Sequence, residues 1–183
     1  MRLGLDISTS VIGVCLLDNS GAISLLSNID LRKIEGTWEK ADAVSAEMHN
    51  IANFSAQPIT NIFIEQNLSK FRPGFSSAST LITLARFNGI VSYIAYKKFN
   101  LEPVYINVNE ARKIVGVKID KKDKIKSTKE KIFEQVQPMI PLAKWQYKTI
   151  KAGAKKGNIR LDDTSYDMAD AWIVARAGLQ LYP

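Results

Sequence analysis

Three short apolar runs open the chain, and the connections between them are too short to hold a helix. The runs "RLGLDI" (2–7), "VIGVCLLD" (11–18) and "AISLLSNIDL" (22–31) read as strands, and "NSG" (19–21) is a turn signal. Parallel neighbours need a long crossover, so strands linked this tightly form an antiparallel meander. The hydrophobic period then changes. "TWEKADAVSAEMHNIANF" (37–54) has helical spacing at Trp38, Ala41, Val44, Ala46, Met48, Ile51 and Ala52. "NIFIEQ" (61–66) predicts a fourth strand, 76–99 a long helix with serine cap candidates, and "EPVYINV" (102–108) a fifth strand. Asn109 can cap a short helix that ends at Val115-Gly116, and 121–136 predicts a basic helix. An irregular basic insert over 137–163 precedes a last helix containing "YDMADAWIVARA" (166–177). This order predicts one α/β domain over 1–183, with a five-stranded mixed sheet flanked by helices: three antiparallel strands plus two.

The predicted helix 76–99 is apolar on more than one side, through Leu81, Ile82, Leu84, Phe87, Ile90, Val91 and Ile94. One side must cover the sheet, and the other is expected to meet a second helix or a second subunit. No apolar run approaches a membrane span, and "MRLGLDIS" turns polar too soon for a secretory leader. The single cysteine, Cys15, excludes an internal disulfide and fits a reducing compartment. With one cysteine and one histidine (His49), a Cys/His zinc site is excluded.

The chain carries a net charge of +7, unevenly spread. From Asn109 to Arg160 there are 15 Lys/Arg against five Asp/Glu, so the remainder is slightly acidic. Segregation of this size points to a polyanion such as nucleic acid.

Against that basic half stand four acids in suggestive places. Asp6 and Glu65 each interrupt an apolar strand, where carboxylates are poor formers. Asp167 and Asp170 share one helix face, their Cβ atoms about 5–6 Å apart. Three have a bland reading singly: Asp6 as a strand-end turn residue, Glu65 likewise uninformative alone, and Asp167 as a first-turn acid behind a Thr164 or Ser165 cap; Asp170 lies too far into the helix for that. If the first and fourth strands are neighbours, Asp6 and Glu65 lie side by side, and a helix packed over them adds the other pair. Such a cluster requires cations, and hard oxygen ligands select Mg²⁺ or Mn²⁺. Two such ions ~3.5–4 Å apart can activate water and steady the leaving oxygen in phosphodiester cleavage.

These pieces occur in the order seen in RuvC-type Holliday junction resolvases of the RNase H-like superfamily. "LGLDISTSVIGVCLLD", "IFIEQ", "SASTLITLARFNGIV", "RKIVGVKIDKKDKI" and "DMADAWIVA" carry the resemblance, over about residues 1–136 and 164–178. It implies a dimeric, Mg²⁺-dependent endonuclease, with Mn²⁺ as a substitute and two ions per site. Such an enzyme cuts symmetric strands of a four-way DNA junction, leaves 5′-phosphates and needs no small-molecule cofactor. By position Asp6 would bridge both metals, Glu65 would hold one, and Asp167 and Asp170 the other. Lys122 best matches the family's active-site lysine, with Lys121 and Lys124 as neighbours able to replace it. Further DNA contacts are expected from Phe71, Arg72 and Phe75 and from Arg112, Lys113, Lys118, Lys121 and Lys124. The long helix 76–99 would supply much of the dimer interface, and twofold symmetry suits the junction. The implied location is the cytoplasm of a bacterial or phage-infected cell.

Three departures qualify the match. The family's aromatic wedge, three positions after the catalytic Glu, falls on Leu68; Phe71 and Phe75 in "KFRPGFSS" are nearby stacking candidates, or one of them plugs the core. The insert 137–163 is long for a bacterial resolvase, and reads either as an added DNA-contacting element or as a solvated flap. Asp162 and Asp163 offer alternative ligands, less well placed in helix register than Asp167 and Asp170. The rival functions are a related nuclease of flaps, branched DNA or RNA–DNA hybrids, and a non-catalytic junction-binding module. A sugar-kinase-like ATPase also opens on a strand and an aspartate, but it needs two such domains and a glycine-rich phosphate loop.

Overall fold

The computed structural model describes residues 1–66, 78–119 and 125–183. Five strands form the main sheet: β1 (Arg2–Ile7), β2 (Val11–Leu17), β3 (Ile23–Asp30), β4 (Asn61–Glu65) and β5 (Val104–Ile106). Their order is β3-β2-β1-β4-β5. The β1–β2 and β2–β3 pairs are antiparallel, as the short connections require, whereas β1–β4 and β4–β5 are parallel. Helix α1 (Thr37–Phe54) makes the first crossover and α2 (Ala78–Phe99) the second. Then follow α3 (Val108–Ile114), α4 (Thr128–Val136) and α5 (Thr164–Leu181).

Alternation along the strands divides the core into two layers. Leu3, Leu5 and Ile7 of β1, Ile12, Val14 and Leu16 of β2, and Ile62 and Ile64 of β4 point toward α1 and α2, where Val44, Met48, Phe87 and Val91 meet them. Cys15 and Leu17 of β2 and Phe63 of β4 point the other way, onto α5 with Met168, Trp172 and Ile173. Cys15 is fully buried, as its apolar run implies.

Helix α5 lies almost on the backbone of the sheet, and glycines permit it. A Cβ on Gly4 would stand 2.6 Å from the Ala171 carbonyl oxygen, and one on Gly13 only 1.9 Å from that of Asp167. At the far end, a Cβ on Gly178 would meet the Phe63 ring at 2.3 Å. Glycine in a strand marks close backbone approach, and here the approaching backbone is α5.

Several expected boundaries move. The short helix is capped by Asn107, whose side chain accepts from the Asn109 and Glu110 backbone N–H groups, so Asn109 lies inside it. The basic helix starts at Thr128, later than the 121 expected, because Ser127 and Glu130 form a reciprocal capping box. The last helix is entered through Asp163 as N-cap, which puts Thr164 and Ser165 inside rather than before it. The insert is more regular than expected. It holds two 3₁₀ turns, Gln137–Met139 and Leu142–Lys144, and a hairpin of β6 (Tyr147–Thr149) and β7 (Ile159–Leu161). Trp145 belongs to the core, not to a nucleic-acid surface: its ring meets Phe133 edge-on at 4.8 Å. Among the described residues, no helix is long and apolar enough to cross a membrane.

Candidate active site

Asp6 and Glu65 project from the α5 side of the sheet, since each is one step out of phase with the residues facing α1 and α2. The β1–β4 register runs Leu3↔Ile62 through Leu5↔Ile64, so the next step places Asp6 beside Glu65. Across the other edge of β1, Asp6 pairs with Gly13. Gly13 is the point at which the α5 backbone descends onto the sheet at Asp167. The same contact therefore lowers the first turns of α5 over Asp6 and brings Asp167 and Asp170 to it.

The four carboxylates act on one another electrostatically. Burial, then the charges of Glu65, Asp170 and Asp167, hold the Asp6 carboxyl well above the ordinary carboxylate range. Burial and then Asp170 push Glu65 up to about 7, against the pull of Arg112 and Lys129. Asp170 is 7% exposed, and burial raises its pKa although Arg112 lies beside it. Asp6 and Glu65 have no hydrogen-bond or ion-pair partner among the described residues.

Two cations hold the helix acids. The Arg112 guanidinium of α3 donates to Asp170 Oδ1 at 3.3 Å, both side chains being largely buried. Lys129 of α4 places its Nζ 3.0 Å from Asp167 Oδ1. Burial works against the Lys129 charge, yet Asp167, and more weakly Asp6 and Asp170, outweigh it and raise its pKa. Among the described residues no three acidic, histidine or cysteine side chains are drawn in around a common point that would hold an ion. The donor set still fits hard divalent cations: Asp6 and Glu65, unpartnered among the described residues and with raised pKa values, gain most from a positive charge placed beside them.

Compared with solved structures, the chain superposes on Thermus thermophilus RuvC in complex with a Holliday junction substrate at a TM-score of 0.63. Identity is 11%, and the match covers 99% of this chain and 95% of that one. The chain has the RNase H-like fold of RuvC. Another T. thermophilus RuvC structure matches at a TM-score of 0.54 and 14% identity, over 96% of this chain and 91% of that one. The yeast mitochondrial Holliday junction resolvase matches at 0.51 and 15%, over 99% and 80%. No family model matches the sequence, and no curated protein matches it.

On this RuvC fold the remaining candidates are placed as follows. Arg112, Lys113 and Lys118 line one groove of about 280 Å³ along α3, with Asn109, Gly116 and Val117. Lys113 and Lys118 are exposed there, whereas Arg112 turns inward to Asp170. Gln135 of α4 fixes the groove's rim by exchanging hydrogen bonds with the Lys118 backbone, at 2.9 and 2.6 Å. Leu68, Phe71, Arg72, Phe75, Lys121, Lys122 and Lys124 lie outside the described residues. Asp162 and Asp163 serve the helix entrance instead of the acid cluster. Asp162 Oδ1 accepts from the Thr164 N–H and hydroxyl, both at 3.0 Å, and Asp163 pairs with Lys148 at 2.8 Å and Arg160 at 3.3 Å.

Lys129 is the residue that sequence reasoning missed. It falls 38 positions before Asp167, in a run where lysines abound. Only the packing of α4 on α5, seen where Phe133 meets Tyr166 at 5.3 Å, selects it. The capping box at Ser127 was the available signal, since it fixes the start of α4 and so the register in which Lys129 points.

Proposed function

We propose that the chain is a structure-selective endonuclease that resolves four-way DNA junctions as a homodimer, by metal-dependent phosphodiester hydrolysis. The observation that carries this reading is the meeting of Asp6, Glu65, Asp167 and Asp170 at one end of a RuvC-fold sheet, next to the basic groove of α3. Asp6, Glu65, Asp167 and Asp170 are the residues that would hold two Mg²⁺ ions, Asp6 being central because it feels all three of the others. When bound, such ions supply an activated water and stabilise the oxygen that leaves phosphorus. The chain's own residues position the reaction. Strands β1 and β4 hold Asp6 and Glu65 rigid, α5 presents the aspartates from above, and Arg112 orients Asp170. Water attacks phosphorus, the bond to the 3′ oxygen breaks, and the ends are a 5′-phosphate and a 3′-hydroxyl. Lys129 is placed to pass from Asp167 to a substrate phosphate once cations take up the carboxylate charge. Lys113 and Lys118, exposed in the groove, would hold the phosphate backbone beside the cut.

The dimer is supported by an uncovered apolar surface along α1 and α2. Trp38 is 71% exposed, Tyr93 62% and Ile82 52%. Trp38 borders two adjoining grooves that share Arg86 and Ile90, and Tyr93 borders one of them. A second copy of α2 would bury them and relate two active sites by one twofold axis.

The deciding experiment is cleavage of a synthetic four-way junction in Mg²⁺, with flap and RNA–DNA hybrid substrates alongside. Asp6→Asn should bind the junction and fail to cut it. Wild-type cutting by that variant would remove Asp6 from the reaction. Preference for the flap or hybrid would favour a related nuclease, and binding without cutting in Mg²⁺ and Mn²⁺ would favour a binding module. Trp38→Glu with Tyr93→Glu should sediment as a monomer where the wild type sediments as a dimer.

A further inference from the structure

The hairpin of β6 and β7 carries five cations and no acid between Tyr147 and Leu161. They divide by register. Lys148 and Arg160 are opposite one another at its base, and both are engaged by Asp163. Lys151, Lys155 and Lys156 lie at the tip, where every residue from 151 to 160 is exposed. None of these three has an acidic partner among the described residues.

The tip is nevertheless built. The Ile150 N–H donates to the Asn158 carbonyl and the Gly157 N–H returns to the Ile150 carbonyl, each at 2.9 Å. Gly153 and Gly157 supply the positive φ values, 80° and 91°, that close the turn. The base is tied to the body of the protein. Gln146 accepts from the Asp162 N–H at 2.8 Å through its carbonyl and from Asn28 of β3 at 2.8 Å through its side chain, while Trp145 is buried in the core. Strand β7 then runs through Asp162 and Asp163 straight into α5, which carries Asp167 and Asp170. A basic finger thus projects rigidly from the entrance of the helix that bears half of the acid cluster.

We propose that this hairpin is a second DNA contact, in which Lys151, Lys155 and Lys156 grip the phosphate backbone of a duplex arm away from the cut; the proposal rests on the nuclease reading above. The reach can be worked out. The three residues of β7, Ile159–Leu161, span roughly 10 Å at about 3.3 Å per residue and set the turn at least that far from the base. At 3.4 Å per base pair that is about three base-pair steps of an arm. Three unpaired ammonium groups on a pre-ordered turn meet phosphates with little ordering cost. A lipid surface is the poorer fit, because the tip sequence "KAGAKKGN" has no large apolar side chain to insert.

The test is a salt titration of junction binding without divalent cations. It compares the wild type, the hairpin variant Lys151→Gln/Lys155→Gln/Lys156→Gln, and a charge-matched control, Lys33→Gln/Lys97→Gln/Lys98→Gln. The hairpin variant should lose about 2–3 from the slope of log K against log salt, at roughly 0.9 per phosphate contact, and the control should keep the wild-type slope. A wild-type slope in the hairpin variant, or equal losses in both variants, would overturn the proposal. So would hairpin-dependent binding to phosphatidylserine vesicles with unchanged junction binding. A wild type that binds junctions through the hairpin but never cuts them would sink the nuclease reading and leave the hairpin contact standing.

Discussion

Gly13→Ala tests whether the sheet–helix contact sets the active-site geometry. The new methyl carbon would stand 1.9 Å from the Asp167 carbonyl oxygen, 2.5 Å from its carbonyl carbon and 3.1 Å from the Ala171 Cβ. Both carbonyl atoms are backbone, so no side chain can swing aside. To move from 1.9 Å to the 3.4 Å of ordinary contact, the start of α5 must rise by about 1.5 Å. Asp6 stays behind, because it is paired to Gly13 within the sheet. Asp167 and Asp170 therefore retreat from Asp6 and Glu65 by a comparable distance. A misplacement of about 1 Å in an active site costs on the order of 10²-fold in rate, and overpacking costs roughly 1–3 kcal/mol of stability. Gly178→Ala is the matched control, since it drives the other end of α5 against the Phe63 ring at 2.3 Å. Urea unfolding and single-turnover junction cleavage in Mg²⁺ should be measured on both. Comparable destabilisation is expected, with cleavage falling at least about 100-fold in Gly13→Ala and within about tenfold in Gly178→Ala. A Gly13→Ala protein that is destabilised yet cuts at the wild-type rate would refute the view that this contact places the carboxylates.

Three further outcomes follow from the same geometry. In the chelator EDTA, stability should fall between pH 4.5 and 7, because Glu65 titrates at about 7 in the fold against 4.5 in the unfolded chain. Below that window both states are protonated, and within it only the unfolded state ionises, so stability declines with rising pH and does not recover above it. Thermal melts across the window should show this slope in the wild type and a smaller one in Glu65→Gln; identical slopes would contradict it. Arg112→Met strands the buried Asp170 carboxylate and should cost about 3 kcal/mol at pH 7 by urea unfolding, shrinking toward pH 4 as Asp170 protonates. An equal loss at both pH values would assign the effect to packing alone. Lys129→Met removes the ammonium 3.0 Å from Asp167 and should cost no more than about 1 kcal/mol. It should also tighten Mn²⁺ binding severalfold by calorimetry, since the ion no longer competes with Lys129; unchanged affinity would show that the two do not compete.

What the sequence made legible follows from period. The strand period of two is short and strict, so β1, β2 and β4 can be read from their apolar runs, and their two faces follow with them. The same strictness makes Asp6 and Glu65 visible as a matched pair, both breaking a run and both falling on the face opposite Leu5 and Ile64. Asp167 and Asp170 are legible because i and i+3 share a helix face. Contacts made between distant elements carry no such period. Arg112 reads as one of many basic residues, and only the packing of α3 against α5 turns it inward to Asp170. The hairpin has three-residue strands that register pairs as Tyr147↔Leu161 to Thr149↔Ile159, too short to print an alternation. One long-range contact did leave a mark. Gly4 and Gly13 sit within strands, where glycine costs stability and offers nothing to pack. Both lie on the face that carries Asp6, and both meet α5. The same-face glycines and acids are two traces of one arrangement: the missing side chains admit the helix backbone, and the helix brings the second pair of carboxylates to the first.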